Sequence, residues 1–356
     1  MKRKLNKKNL IIILVIGAFL IGGSIIGVSL LSKDKPTHEN NKSEKKKNQE
    51  EEKDPTVPEV QIVNKNSKTR PYAVMINNLG AARPYHTGLQ DAYLVYEIVV
   101  EGGITRYMAL FKDKTPEVVG SVRSARHYYL DYALENDAYY VHWGWSPQAQ
   151  SDISTLKVNN INGLTYGSPY FFRQKLPVSS EHTGFVNLKE MGKLVKKLNY
   201  RTETNKDLLL NYSATNIDTT NIEGRMTATK VDLKYSNGFV TNYVYDESAN
   251  VYKQSVNNKA HVDYVTKEQY TVKNIITYQV ANSTIVGGGK GRQELDNIGS
   301  GEGYFITGGV AMPITWEKKS RTEQTVYRYK DGTEITVNDG NTWIHIVPKT
   351  GNIGIS

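Results

Sequence analysis

The residue types able to do chemistry crowd into one stretch, Tyr72 to His142. It holds Glu97, Glu101, Arg106, Arg123, Arg126, His86, His127 and His142, all on or beside apolar runs that must form core. Glu97 and Glu101 flank the end of an apolar run, and Gly102-Gly103 follows at once, a two-residue hairpin signal. A hairpin about those glycines sets Glu101 opposite Ile104, Val99 opposite Arg106 and Glu97 opposite Met108. Side chains alternate along a strand, so Glu97, Val99 and Glu101 share one face and Leu94, Tyr96, Ile98 and Val100 the other. Arg106 then reaches both glutamates diagonally, a Glu97–Arg106–Glu101 cluster. A solvated ion-pair face is the plain alternative. Glutamates four apart on a strand stand about 13 Å apart, too far for a glycosidase pair.

A second constellation is Ser121-Val-Arg123-Ser124-Ala-Arg126-His127. Helical spacing from Ser124 to about Glu135 sets it at a helix start, where free N–H groups and the dipole favour an anion. Arginine adds planar donors suited to phosphate or carboxylate. The functional reading is an anion pocket built from Arg106, Arg123, Ser124, Arg126 and Arg173. The structural reading ties the arginines to Asp131 or Glu97. His142, on an apolar strand, and His182, in a polar loop after Glu181, are the candidate bases, with Glu97 and Glu101 the candidate carboxylates. Four histidines from His86 to His182 offer no HExxH or tight ligand spacing, so no metal is assigned. No serine stands in a G-x-S-x-G setting. The glycines Gly287-Gly288-Gly289-Lys290-Gly291 lack the spacing of a phosphate loop. No cofactor is indicated.

The elements that position these groups follow from the rest of the chain. Its 356 residues include no cysteine, which excludes disulfides, a thiol nucleophile, zinc thiolate sites and a lipid-bearing N-terminal cysteine. A net charge of +9 permits acidic partners without pointing to nucleic acid. Five basic residues lie within positions 1–9, and Leu10 to Leu31 is an uncharged apolar run of roughly 22 residues, enough to span a bilayer. The reading is a single-pass cell-membrane anchor with 1–9 cytoplasmic and everything after Leu31 outside. Residues 32–68 read as a disordered charged linker.

Residues 69–211 mix strands and helices. Ser146-Pro147 and Asn187-Leu-Lys-Glu190 mark helix starts, the second helix ending near Leu198. Residues 212–224 read as a connection, and 225–356 as short strands with Asn-Gly and Asp-Gly turns, an antiparallel barrel or sandwich. The fold class is α+β: a mixed α/β N-terminal domain, then a mainly antiparallel β domain, behind a transmembrane helix.

VYEIVVEGGITRYMALF, GSVRSARHYYLDYALENDAYYVHWGWSPQA and DGTEITVNDGNTWIHIVP resemble the YerB-like lipoprotein family of Gram-positive-type bacteria, a two-domain family of unknown function. The resemblance covers nearly everything after the linker and implies an exported, membrane-attached protein. It places Glu97, Glu101, Gly102, Gly103, Arg106, Arg123, Ser124, Arg126, His142 and His182 on the family pattern. His86 stands where glutamine is common, His127 where proline is common, and Trp145 where glycine is usual. Many members carry a lipidated cysteine, and its absence here fits a transmembrane anchor as substitute.

The expected function is binding of an anionic wall polymer or glycan through the first domain. The rival readings are an envelope hydrolase or transferase using His142 or His182, and a scaffold for envelope proteins. Twenty-four tyrosines suit polymer contact and β cores equally.

Overall fold

The computed structural model describes residues 58–287 and 289–356. The expected cytoplasmic flank 1–9, the anchor Leu10–Leu31 and the linker from 32 to 57 lie outside the described residues. Among the described residues, no helix is long and apolar enough to cross a membrane.

The first long strand, β1 (Tyr72–Asn77), and β2 (Leu94–Val99) flank β3 (Thr105–Phe111), which is antiparallel to both. Every residue of the three is buried. A strand buried on both faces has no room for polar alternation, hence the continuous apolar runs. The strand Thr342–Pro348 lies parallel to β2 on its free side and pairs in turn with Asn274–Val280, also parallel. One eleven-stranded sheet therefore draws strands from both halves of the chain. This corrects the expectation of a self-contained C-terminal barrel or sandwich. The architecture is mixed α/β, with three α-helices among the described residues: α1 (Tyr129–Glu135), α2 (Pro147–Thr155) and α3 (Leu188–Lys197).

Seven described strands of the large sheet run the same way: β1, β2, Tyr139–His142, Asn160–Asn162, Asn274–Val280, Val310–Lys318 and Thr342–Pro348. Their carboxyl ends share one edge. Helix α1 covers one face, where the hydroxyls of Tyr128 and Tyr129 donate to Val99 O and Ile98 O. A second, six-stranded sheet built on Lys230–Ser236, Phe239–Asp246 and Val251–Val256 covers the other. The Lys318 ammonium meets the Glu135 carboxylate at 2.8 Å, both fully buried, which ties α1 to the sheet. Ten of the twelve largest fully buried side chains are tyrosines, so most of this residue's abundance is core packing.

Both helix starts read from the sequence are capped as expected: Ser146 Oγ accepts from Ala149 N–H, and Asn187 Oδ1 from Glu190 N–H. The helix expected from Ser124 begins only at Tyr129. Residues 122–125 are extended instead, because their backbone groups zip against neighbours: Val122 N–H to Gly184 O, Arg123 N–H to Met75 O, Ala125 N–H to Gly144 O. Tertiary hydrogen bonds here outweigh local helix propensity. Residues 58–68, read as the end of the linker, are packed on the body. Val63 is buried, and Gln61 and Ile62 donate to the Asp339 carboxylate.

Candidate functional site

The turn after β2 decides where the two glutamates go. It is a three-residue 3-10 turn, Glu101–Gly103, with both glycines left-handed (φ 69° each). The longer turn shifts the hairpin by one residue, so Glu97 pairs with Tyr107 and Ile98 with Arg106. A one-residue slip sends each side chain to the other face. Arg106 thus leaves Glu97 and turns toward Glu101, which the turn carries to the α1 side. The expected Glu97–Arg106–Glu101 cluster is therefore corrected to two separate sites.

The outer site occupies the carboxyl edge of the parallel strands. Arg126 grips Glu101 with a two-pronged contact, Nε on Oε1 and Nη2 on Oε2 at 2.8 Å, and gives Nη1 to Ala125 O. Arg106 Nη2 stands 3.5 Å from Glu101, and its Nη1 donates to Ser124 O. Ser124 Oγ donates to Trp143 O. Burial alone would raise the Glu101 carboxyl, but Arg126 and Arg106 hold it below the usual carboxylate range. Burial, with Arg126 and Arg123 close by, lowers the Arg106 guanidinium to about 10.

Arg123 pairs with Glu181 at 2.7 Å, toward solvent. Its hydrogen bond and charge lower the Glu181 carboxyl. Arg173 is held by Ser180 O and Thr183 Oγ1, with its guanidinium 4.4 Å above the Trp143 ring. The loop 180–183 therefore serves both arginines. Neither Asp131 nor Glu97 takes up the arginines: Asp131 holds Arg321 at 2.5 Å, and Glu97 faces the second sheet. With the helix starting at Tyr129, no helix end serves this loop.

The histidines disperse. His142 is wholly buried, with Nδ1 donating to Gly144 O at 2.8 Å and Nε2 beside Asn160 Oδ1 at 3.3 Å. Burial lowers it to about 4. The ring has no exposure in this structure, so it faces no open site. His182 accepts at Nδ1 from the Asn77 amide at 2.8 Å and lies 3.5 Å from Glu181; burial lowers its pKa. His127 pairs with Glu294 at 2.9 Å.

The inner site was not legible. Glu97, fully buried, accepts from Thr105 at 2.6 Å and from Thr241 at 3.0 Å, and lies 3.0 Å from His345 Nδ1. His345 Nε2 meets Tyr243 OH at 2.9 Å, and the Gln254 side-chain amide bridges Tyr243 and His261 Nδ1. His261 Nε2 lies 2.8 Å from His86 Nδ1, whose Nε2 donates to Asn77 O at 2.6 Å. Burial lowers His86 to about 3 and His261 well below the ordinary histidine value. A polar chain thus runs between the sheets and ends at Asn77, which also holds His182. His345 and His261 carried no signal in sequence beyond an interruption of apolar strands.

Comparison with known proteins adds the following. Residues 59–201 match the family described as protein of unknown function (DUF3048), N-terminal domain, and residues 231–344 match its C-terminal domain. The chain is 29% identical over 293 residues to "Putative lipoprotein YerB" of Bacillus subtilis (strain 168), covering 82% of this chain and 85% of that one. A crystal structure of the YerB protein from Bacillus subtilis superposes with a TM-score of 0.67 at 29% identity, over 80% of this chain and 94% of that chain.

Proposed function

Because the chain belongs to the YerB-like family of unknown function (DUF3048), we propose that it is an exported, membrane-attached cell-envelope protein that binds a phosphate-bearing wall polymer at its arginine edge. Attachment rests on the lipoprotein name of the Bacillus subtilis relative and on the apolar run Leu10–Leu31 with its basic flank. With no cysteine to carry lipid, that run serves as a single-pass anchor and leaves the bulk of the chain outside.

The observation that carries the binding reading is charge. Arg106, Arg123, Arg126 and Arg173 gather at the carboxyl edge against two carboxylates, Glu101 and Glu181. The crevice outside the carboxyl ends of parallel strands is also where open α/β sheets take ligands. Arg106 and Arg126 are buried, and lend charge and rigidity. Arg123 and Arg173 are the contact residues. The Glu181 side chain is 53% exposed, and a solvent-facing pair of this kind is worth little, so a polymer phosphate displaces it at small cost.

One experiment tests attachment and binding together. Protoplasts producing the full chain should capture a fluorescent polyphosphate above the level of protoplasts lacking it, and raised salt should weaken the capture through screening. Brief external protease treatment should remove it. Arg123→Gln combined with Arg173→Gln should abolish most of it. Undiminished capture by the double variant overturns the site, and survival of the chain through protease overturns the topology.

A further inference from the structure

A second site lies apart from the arginine edge. The loop after β1 (residues 80–84) and the segment 256–267 of the smaller sheet enclose a cleft of about 560 Å3, within the range of small-molecule sites. Cations enter it from separate segments: Arg83 from the first, Lys259 and Lys267 from the second. Among the described residues none of the three has a carboxylate within ion-pair distance. Arg83 is fixed rather than loose. Its Nε and Nη2 donate to Asn78 Oδ1 and O at 2.9 Å each, and its guanidinium lies 5.3 Å from the Phe239 ring centre.

The one carboxylate lining the cleft among the described residues, Asp263, keeps its charge but forms no ion pair with these cations, so the lining stays net positive, three cations to one anion. Asp263 is consumed by the fold: it accepts from Thr87 Oγ1, Gly88 N–H, Tyr270 OH, Val265 N–H and Thr266 N–H, all at 2.8–3.1 Å. The floor adds no further negative charge: His261 is bonded to His86 and Gln254. The walls include Pro84, Val256 and Tyr264, whose ring has Lys267 Nζ 4.2 Å from its centre. Lys267 sits in the left-handed region (φ 65°), which glycine or asparagine enters more readily, yet the position carries an ammonium.

We infer that this cleft binds a phosphorylated sugar or polyol, the phosphate taken by Arg83, Lys259 and Lys267 and the carbon skeleton packed on Pro84, Val256 and Tyr264. Phosphate suits the donor set because its several oxygens accept from cations arriving in different directions, and charge-assisted bonds are the stronger kind. The volume suits a unit or two of such a ligand rather than a folded partner. A free sugar phosphate and one repeat of a phosphate-linked polymer present the same chemistry.

The test is calorimetric titration of the full chain in detergent with glucose 6-phosphate, glucose, inorganic phosphate and polyphosphate. Glucose 6-phosphate should bind, and glucose should not. Lys259→Gln with Lys267→Gln, both on exposed side chains, should weaken binding by about tenfold or more, as expected from losing two charge-assisted contacts. Arg123→Gln at the outer edge should leave it unchanged. In the Arg123→Gln/Arg173→Gln background, which removes the outer edge as a competitor, tighter binding of polyphosphate than of the monomer assigns the polymer as source, and the reverse assigns the free sugar phosphate. The inference is overturned if no phosphate compound binds, if glucose binds as well as its phosphate, if the lysine variant binds like the parent, or if Arg123→Gln alone removes binding.

Discussion

Glu97 and Glu101 stand four residues apart on one strand and its turn, yet they inhabit opposite sides of the sheet and opposite kinds of chemistry. Glu97 lies between two sheets with no exposure, and neutral donors and an imidazole supply its partners. Glu101 lies at the sheet edge, its side chain 18% exposed, and two guanidinium groups supply its partners. The first arrangement joins layers, because Thr241 and His345 come from the second half of the chain. The second organises a loop, because Arg126 and Arg106 come from the same short region. A buried polar group pays for its desolvation only when every partner is present, whereas an edge group can borrow from water.

The largest effect should follow from Glu97→Ala. It leaves His345, Thr105, Thr241 and Asn78 without their common acceptor inside the protein, and the loss should be about 3–5 kcal/mol, as for a broken buried pair. Urea unfolding measures it, and Glu97→Gln should recover part of the loss by keeping the volume and an acceptor oxygen. A cost no greater than that of Arg126→Ala would erase the contrast.

Arg126→Ala comes next. It removes the two-pronged grip on Glu101 but leaves Arg106 and some water, so about 1–3 kcal/mol is expected. The folded signal in circular dichroism should persist at room temperature. Collapse of the fold would make the edge as structural as the interior.

The smallest effect is a slope. Two histidines of the inner chain, His86 and His261, are pushed toward the neutral form by burial: His86, packed against His261 and Tyr107 and near Arg83 and Asp263, is lowered to about 3. Below the unfolded histidine value of about 6.5 the unfolded chain binds a proton that folded His86 refuses, so stability is full above that pH and falls as pH drops toward about 3. The contribution is about 1.4 kcal/mol per pH unit. His86→Gln keeps a donor for Asn77 O and an acceptor for His261, and should make the decline between pH 6 and 5 shallower by about that amount. An unchanged slope would show that the proton enters the folded interior.

The arginine edge was partly legible. Arg106, Arg123, Ser124 and Arg126 do gather, because they sit within 21 residues of one another and one loop can bring them together. Of their expected carboxylate partners, Glu101 does meet Arg106, but Glu97 does not, since a 3-10 turn in place of a two-residue one reverses which face a strand residue meets, and Asp131 takes Arg321 instead. The caps at Ser146 and Asn187 were read correctly because capping depends on residues three apart. The helix start at Ser124 was misread because its backbone bonds go to Gly184, Met75 and Gly144, none of them local.

What the sequence alone determined is what depends on neighbours along the chain: the apolar runs that become buried strands, two helix caps, and the family, whose long motifs are contiguous. What only the tertiary structure decided is what depends on pairing across the chain. Thr342–Pro348 docks parallel to β2, some 250 positions away, and nothing in either apolar run specifies the other, since hydrophobic burial has no direction. That docking, with the second sheet laid over it, sets His345 and Thr241 beside Glu97. The packing of 256–267 over the loop after β1 sets Lys259 and Lys267 opposite Arg83.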